Sequence, residues 1–209
     1  MTSDGFLREQ VRAEVVRMRE RCAALELPVV YGHGDLKPSN VMRRDATVPA
    51  HPLDHAIGND DAISFIDFEL AGAHYRGYDL YKLFRTADDF SNANVRMFLE
   101  SYLAALPAAE ATAAAAAAAS VAPASGSERA LTASLAELEA EAYAAEPLTW
   151  LEAAVFFLFA LSVYPDKAET WRPLAVQRWE SYLASASRID ADGEATAALL
   201  AARSARCAV

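Results

Sequence analysis

Apolar residues at three- and four-residue spacing predict a helix over residues 5–26, the first regular element of the chain. The repeat consists of Phe6, Leu7, Val11, Val15, Met18, Cys22 and Leu25. Pro28 ends this pattern, and the β-branched and aromatic run at 29–31 predicts a short strand. Residues 41–42 and 62–68 are two further strand candidates, separated by a polar loop over 43–61.

The second half of the chain has the periodicity of helices. Helices are predicted from about Asp79, and over 94–106, 130–145, 147–164 and 167–188. Pro147 fits the first turn of one helix, and Pro165 ends that helix. The order of elements is not the alternation of strands and helices that is typical of a parallel sheet. We therefore expect an α+β chain, mostly helical, in which short strands carry polar loops.

A low-complexity stretch of Ala, Ser, Pro and Glu occupies residues 107–130. Alanine favours helix but contributes little apolar area, so we expect an insertion, either flexible or a surface helix, and not a domain boundary. The predicted organisation is one domain over residues 1–190, with this insertion, and a flexible tail over 191–209.

The charge of the chain limits its partners. Its 209 residues carry a net charge of -10, which argues against a general nucleic-acid binder because phosphates require cationic partners. Cys22 and Cys207 lie too far apart in sequence to suggest a disulfide framework, and we expect Cys22 to be a small buried apolar residue. The N-terminus lacks the apolar core of a signal peptide, and residues 153–164 are too short for a membrane span. We expect a cytoplasmic protein.

Two polar loops next to the predicted strands carry candidate chemistry. The first, HGDLKPSN at 33–40, places Asp35 and Asn40 five residues apart, and the second, DFE at 67–69, follows an apolar strand. In phosphoryl transfer, one Asp positions the attacking hydroxyl, while an Asn and a second Asp hold Mg²⁺ against the nucleotide phosphates. Oxygen atoms are the ligands that Mg²⁺ prefers, so these residue types suit an ATP- and Mg²⁺-dependent reaction.

HGDLKPSN resembles the catalytic loop of the protein-kinase-like superfamily, which includes aminoglycoside and choline kinases. Residues 65–79, FIDFELAGAHYRGYD, resemble the choline/ethanolamine kinase signature, in which IDFE precedes a Tyr-Arg-Gly-aromatic-Asp segment. The resemblance covers most of the chain and is strong over 31–42 and 63–84. It implies the C-lobe of a protein-kinase-like fold and ATP-dependent phosphorylation of choline or ethanolamine in phospholipid-precursor synthesis, the Kennedy pathway.

The resemblance also implies roles for residues of the two loops. Asp35 corresponds to the catalytic base, and His33 to a residue that organises its loop. Asn40 and Asp67 correspond to the Mg²⁺ ligands. Lys37 corresponds to a phosphate contact of the nucleotide, with a solvated surface lysine as the alternative interpretation.

Further residues are assigned by the same resemblance to structure or to the acceptor. Asp79 corresponds to the Asp that braces the catalytic loop, and Arg76 is expected in a structural ion pair. The expected substrate-binding residues are Glu69, Tyr75, Phe159 and Trp179. Trp150 and Trp171 are expected to pack in the core or on the surface, and for Trp179 the same packing is weighed against substrate binding.

The chain departs from the family pattern at the acceptor site. The acidic position that helps to hold the choline ammonium is Thr86 here, and the helix that carries tryptophans in the family has phenylalanines at 156, 157 and 159. Trp is a stronger partner for a cation than Phe. Choline, ethanolamine and another amino alcohol therefore stay open as acceptors.

Nothing before residue 28 resembles the phosphate-covering loop or the strand lysine of a kinase N-lobe. We therefore expect the C-lobe alone. Two functions follow: a kinase of a small amino alcohol, or an inactive lobe that serves as a binding module and exposes an apolar face, with a homodimer as one arrangement. A eukaryotic protein kinase is a weaker interpretation because DFE replaces DFG.

Two other polar groups receive ordinary interpretations. His51 and His55 lie four residues apart in a Pro- and Asp-rich loop, where solvation is favoured over metal binding. Glu137, Glu139 and Glu141 are expected to form a solvated helix face.

Overall fold

The computed structural model describes residues 3–43, 63–87, 91–118 and 134–207. Its α-helices are α1 (Ser3–Ala24), α2 (Arg76–Thr86), α3 (Asn92–Ala118), α4 (Leu135–Ala144), α5 (Glu146–Val163), α6 (Ala168–Ser185) and α7 (Glu194–Cys207). Its strands are β1 (Val29–Gly32), β2 (Val41–Arg43), β3 (Ile63–Phe65) and β4 (Gly72–Tyr75). Short 3-10 helices lie at Pro38–Asn40, Phe68–Leu70, Pro165–Lys167 and Ala186–Ile189. The chain is therefore α+β and mostly helical.

Two antiparallel strand pairs bring the polar loops together. Strand β1 pairs with β4, with Val29 opposite Tyr75, and β2 pairs with β3, with Val41 opposite Phe65. The loop between β1 and β2 therefore runs beside the segment between β3 and β4. Strand β4 was not predicted, because the sequence GAHY indicates a loop and becomes a strand only through its pairing with β1.

Helix α4 lies at the centre of the helical region. The larger core cluster joins α1, α4, α5, α6 and α7, and includes Met18, Leu151, Tyr182 and Leu199. The smaller cluster joins α2, α3 and α4, and includes Leu80, Leu99 and Leu138. Of the alanines of α4, Ala140 and Ala144 are buried in the larger cluster and Ala142 in the smaller one. Their small side chains allow neighbouring helices to approach α4 from several sides.

A buried ion pair fixes helix α2 against α4. The guanidinium of Arg76 donates from Nε to Glu141 Oε2 over 2.8 Å and from Nη2 to Oε1 over 2.9 Å. Both side chains are 1% exposed. A Cβ at position 77 would collide with the Glu141 carbonyl oxygen, so the close approach of the two helices requires Gly77.

The expectation of a solvated glutamate face on this helix was wrong for Glu137 and Glu141, which are both buried. Arg203 of α7 pairs with Glu137 over 3.4 Å, and Arg76 pairs with Glu141. Burial raises the pKa of Glu141, although Arg76 acts in the opposite direction. The partners come from distant parts of the sequence, so the local pattern could not indicate this burial.

The end of the chain differs from the expected flexible tail. Glu194–Cys207 forms α7 and packs against α4, because Ala195 and Leu199 place their side chains in the core. The guanidinium of Arg203 also donates to the Leu25 carbonyl oxygen over 2.7 Å.

The start of the low-complexity stretch continues helix α3, which extends to Ala118. The rest of that stretch, residues 119–130, lies outside the described residues, as do His51 and His55.

One stretch, Leu135–Val163, is long and apolar enough to cross a membrane by length and composition alone. A core helix passes the same test, and 44% of the most apolar window is buried inside the protein. The stretch consists of α4, which packs against α2, α3 and α7, and α5, which packs against α6. These contacts, together with the buried Glu141, are those of core helices.

We expect Arg76→Met to lower the free energy of unfolding by about 3 kcal/mol or more, because Glu141 would remain as a buried and unpaired carboxylate. Urea unfolding followed by circular dichroism measures the change. Arg96→Met is the control, because its pair with Glu100 is exposed and is worth less than about 1 kcal/mol. Equal losses in the two variants would contradict the role given to burial.

Candidate active site

The loop after β1 is held by the first turn of α2. The carboxylate of Asp79 accepts hydrogen bonds from the backbone N–H of His33 over 2.6 Å and of Gly34 over 3.0 Å. Gly34 has φ +80°, a conformation that L side chains rarely adopt, and a Cβ there would collide with the Leu70 carbonyl oxygen. The loop therefore packs closely against the segment between β3 and β4.

His33 connects the two loops. Its Nδ1 accepts the backbone N–H of Asp35 over 3.3 Å, which leaves Nε2 to donate to the Ile66 carbonyl oxygen over 2.9 Å. Its ring also lies 4.7 Å, between centroids, from the ring of Phe68. The imidazole thus aligns the start of one polar loop with the start of the other.

Asp35, Asn40 and Asp67 converge where these loops meet. The amide nitrogen of Asn40 lies 3.2 Å from Asp35 Oδ2 and 3.5 Å from Asp67 Oδ2. It also donates to the Asp35 carbonyl oxygen over 3.0 Å, and Asn40 is buried. Asp67 has φ 70° and ψ 53°, a strained left-handed conformation for a residue with a side chain. Such strain is found preferentially at functional sites.

Two lysines neutralise the Asp35 carboxylate from opposite oxygens. Lys37 Nζ lies 2.6 Å from Oδ2, and Lys82 Nζ lies 2.9 Å from Oδ1. Burial acts to raise the pKa of Asp35, but the hydrogen bonds and charges of the two lysines outweigh it, so the pKa lies below its usual value. Asp35 is therefore a stable carboxylate that can accept a hydrogen bond.

Lys82 was not predicted as a site residue. It belongs to α2 and is buried, with Glu152 of α5 at 3.2 Å as a second carboxylate partner. One sequence signal was present: Lys82 is three residues after Asp79, so a helix places both on the same face. Glu152 had no such signal because its partner comes from another helix.

The donors present fit a magnesium ion bound together with a nucleotide. The carboxylate of Asp67 and the amide carbonyl of Asn40 offer hard oxygen ligands. No group of three or more His, Cys, Asp or Glu in the part of the chain that the structure describes could form an all-protein metal cage. Magnesium does not require such a cage, because it is usually held by one or two carboxylates, substrate phosphates and water.

The residues expected to bind the acceptor are not all brought together. Tyr75 lines a mostly apolar cavity of about 310 Å³ between α1, β4 and α5, and Glu152 stands on its wall. Burial raises the pKa of the Tyr75 phenol. Glu69 is exposed in the 3-10 turn after Asp67.

The other two expected acceptor residues lie elsewhere. Phe159 is 65% exposed on α5, and Trp179 packs with Tyr182 against the larger core cluster. Neither lines the cavity beside Tyr75. The packing interpretation of Trp179 is therefore the one that its described contacts support.

Comparison with known proteins agrees with the chemistry of these loops. The sequence model of the choline/ethanolamine kinase family matches residues 3–112. A curated relative, a probable ethanolamine kinase of Arabidopsis thaliana, is 31% identical over 72 residues, which are 34% of this chain and 16% of the relative. No solved structure matches. Because the family match covers more than half of the 209 residues and contains both polar loops, the chain belongs to the choline/ethanolamine kinase family.

Proposed function

We propose that the chain transfers the γ-phosphoryl group of ATP to the hydroxyl of a small amino alcohol, choline or ethanolamine. The observation that carries this proposal is the convergence of Asp35, Asn40 and Asp67 from two separate loops within hydrogen-bonding reach. Family membership supports it. The proposed architecture is the C-lobe of a protein-kinase-like fold, with the strand pairs carrying the two loops.

Each residue of the site has a task in this reaction. The ionised carboxylate of Asp35 accepts a hydrogen bond from the acceptor hydroxyl and orients its oxygen towards the phosphorus. Asn40 and Asp67 would hold Mg²⁺, which offsets the negative charge of the phosphates. Lys37, whose side chain is 36% exposed, can leave Asp35 and approach a phosphate oxygen. The reaction therefore depends on positioning and on charge stabilisation.

The acceptor end of the site points to a small organic alcohol. The cavity beside Tyr75 has mostly apolar walls from α1 and α5, and its charged lining residues are Glu152 and Arg19. The aromatic and aliphatic wall suits the carbon atoms of a small ligand, and Glu152, which also pairs with Lys82, is the group that would meet an ammonium there. Ethanolamine is favoured over choline because the Arabidopsis thaliana relative is a probable ethanolamine kinase and because α5 has no tryptophan after Trp150.

A second candidate function is an interaction module without catalysis. The observation that favours it is the apolar surface around the short strands, where Tyr31 is 82% exposed and Phe65 and Phe68 are about half exposed. Large contiguous apolar surfaces often mark binding sites for another protein surface. The two functions differ in MgATP binding, which only the first one requires.

Asp35→Ala is expected to lower phosphoryl transfer by about 100-fold or more, because the hydroxyl loses its orienting acceptor. Transfer from labelled ATP to ethanolamine and to choline is measured on the purified chain with Mg²⁺. Asp166→Ala is the matched control, since Asp166 is exposed in a turn away from the loops. Equal transfer by wild type and the Asp35 variant would exclude the assigned role, and the rates for the two alcohols decide between them.

Asp67→Asn is expected to raise the Mg²⁺ concentration for half-maximal activity by about tenfold or more, because a neutral amide is a weaker magnesium ligand than a carboxylate. Titration calorimetry of ATP with and without Mg²⁺ gives a second readout on wild type. A folded wild-type chain that binds no MgATP would favour the interaction module.

Asp79→Asn is expected to release the loop after β1, because an amide replaces the carboxylate that accepts both backbone N–H groups. Hydrogen exchange at His33 and Gly34 should accelerate by about tenfold or more, while exchange in α6 stays unchanged. Unaltered exchange at both amides would show that the carboxylate does not hold the loop.

A further inference from the structure

The ammonium group of Lys82 is enclosed by acceptors. Nζ lies 2.9 Å from Asp35 Oδ1, 3.2 Å from Glu152 Oε2 and 3.2 Å from the Gly34 carbonyl oxygen. The Tyr78 hydroxyl is a fourth neighbour at 3.4 Å. Three N–H donors thus face two carboxylates and one carbonyl, which fixes the direction of each bond.

Stability alone does not account for a lysine at this place. Its side chain is 5% exposed, and it is buried on α2 together with the apolar Leu80 and Phe84. Removing an ammonium from water has a large cost, and a buried ion pair is often no more stabilising than well-packed apolar residues of similar size. Unlike a leucine, a lysine at this position places a positive charge next to a carboxylate, and the nearest one is that of Asp35.

The two lysines on Asp35 differ in freedom. Lys37 is partly exposed, at 36%, and its Asp35 contact is two residues away in the same loop. Lys82 is 5% exposed and is anchored to α5 by Glu152. When Lys37 turns towards a phosphate, Lys82 still keeps a fixed positive charge on the Asp35 carboxylate.

We propose that Lys82 is a positioning residue of the phosphoryl transfer, which holds Asp35 Oδ1 from behind and leaves Oδ2 to face the acceptor hydroxyl. Glu152 sets the position of the ammonium from α5. This inference rests on the proposed function, and it adds a residue pair that neither polar loop contains. Lys82 contacts the Asp35 carboxylate directly, so we expect its effect on the reaction to pass through Asp35.

Steady-state kinetics separates this role from phosphate binding. Lys82→Met should lower kcat by about 100-fold while the KM for ATP changes by less than about threefold, because misplacing the orienting group affects the reacting geometry. Lys82→Arg should recover about tenfold of the lost kcat because it restores a cation. Lys37→Met should instead raise the KM for ATP. The matched control is Lys167→Met, an exposed lysine in the turn before α6.

A second variant tests whether the loss of activity comes from misfolding. Lys82→Met leaves Glu152 without its cation, so the neutral pair Lys82→Met with Glu152→Gln removes the ammonium without leaving that charge unpaired. We expect the double variant to fold, by circular dichroism, and to lose about 100-fold in kcat relative to Glu152→Gln alone. Wild-type kcat in this folded pair would overturn the proposal and assign Lys82 to stability alone.

An NMR measurement on the protein without substrates tests the role of Lys82 independently of the proposed reaction. In protein labelled with ¹³C at aspartate carboxyl carbons, the Asp35 signal, assigned with Asp35→Asn, should shift and broaden in Lys82→Met and stay unchanged in the Lys167→Met control. An Asp35 signal that is unchanged in Lys82→Met would overturn the positioning role even if the enzyme is active. A chain that shows the expected shift but transfers no phosphate would reject the proposed function and keep the contact.

Discussion

The first turn of α2 is the constraint on which both the core and the site depend. Arg76 ties this turn to α4 through a bidentate buried ion pair, and Gly77 allows the backbones to approach. Asp79, three residues after Arg76, holds the backbone of the loop after β1. One turn further, Lys82 reaches the Asp35 carboxylate. Because the start of α2 is fixed against the core, the positions of Asp79 and Lys82, and with them that of the Asp35 carboxylate, are fixed as well.

This arrangement places charges where a helical core would ordinarily have apolar residues. The Arg76–Glu141 pair and the Lys82 ammonium both lie in the interior. Buried pairs contribute little net stability, but removing one partner has a high cost. They are directional, unlike apolar contacts, so they specify how α2 is rotated about its axis. That rotation determines whether the Asp79 carboxylate reaches the loop after β1. The buried charges therefore set the orientation of α2, which apolar packing alone would not specify.

The parts of the fold that depend on local pattern could be predicted from the sequence. Helix α1 and strand β1 follow from periodicity and from Pro28, and both polar loops follow from their residue types and order. Features that depend on a distant partner could not be predicted in this way. Strand β4 requires β1 beside it, and the burial of Glu141 requires Arg76. Lys82 lacked a visible role because its partner Glu152 is seventy residues away.

The charge balance around Asp35 explains how two lysines suit the proposed binding of a triphosphate. The carboxylates of Asp35, Asp67 and Glu152 alone would repel an incoming polyanion. Lys37 and Lys82 cancel most of that charge before any metal binds. Lys82 does so from the interior, where the lower dielectric strengthens its attraction to Asp35 and where counter-ions cannot replace it. In the proposed reaction, Asp35 can then lie close to a γ-phosphate without repelling it, while its outer oxygen accepts a hydrogen bond from the attacking hydroxyl.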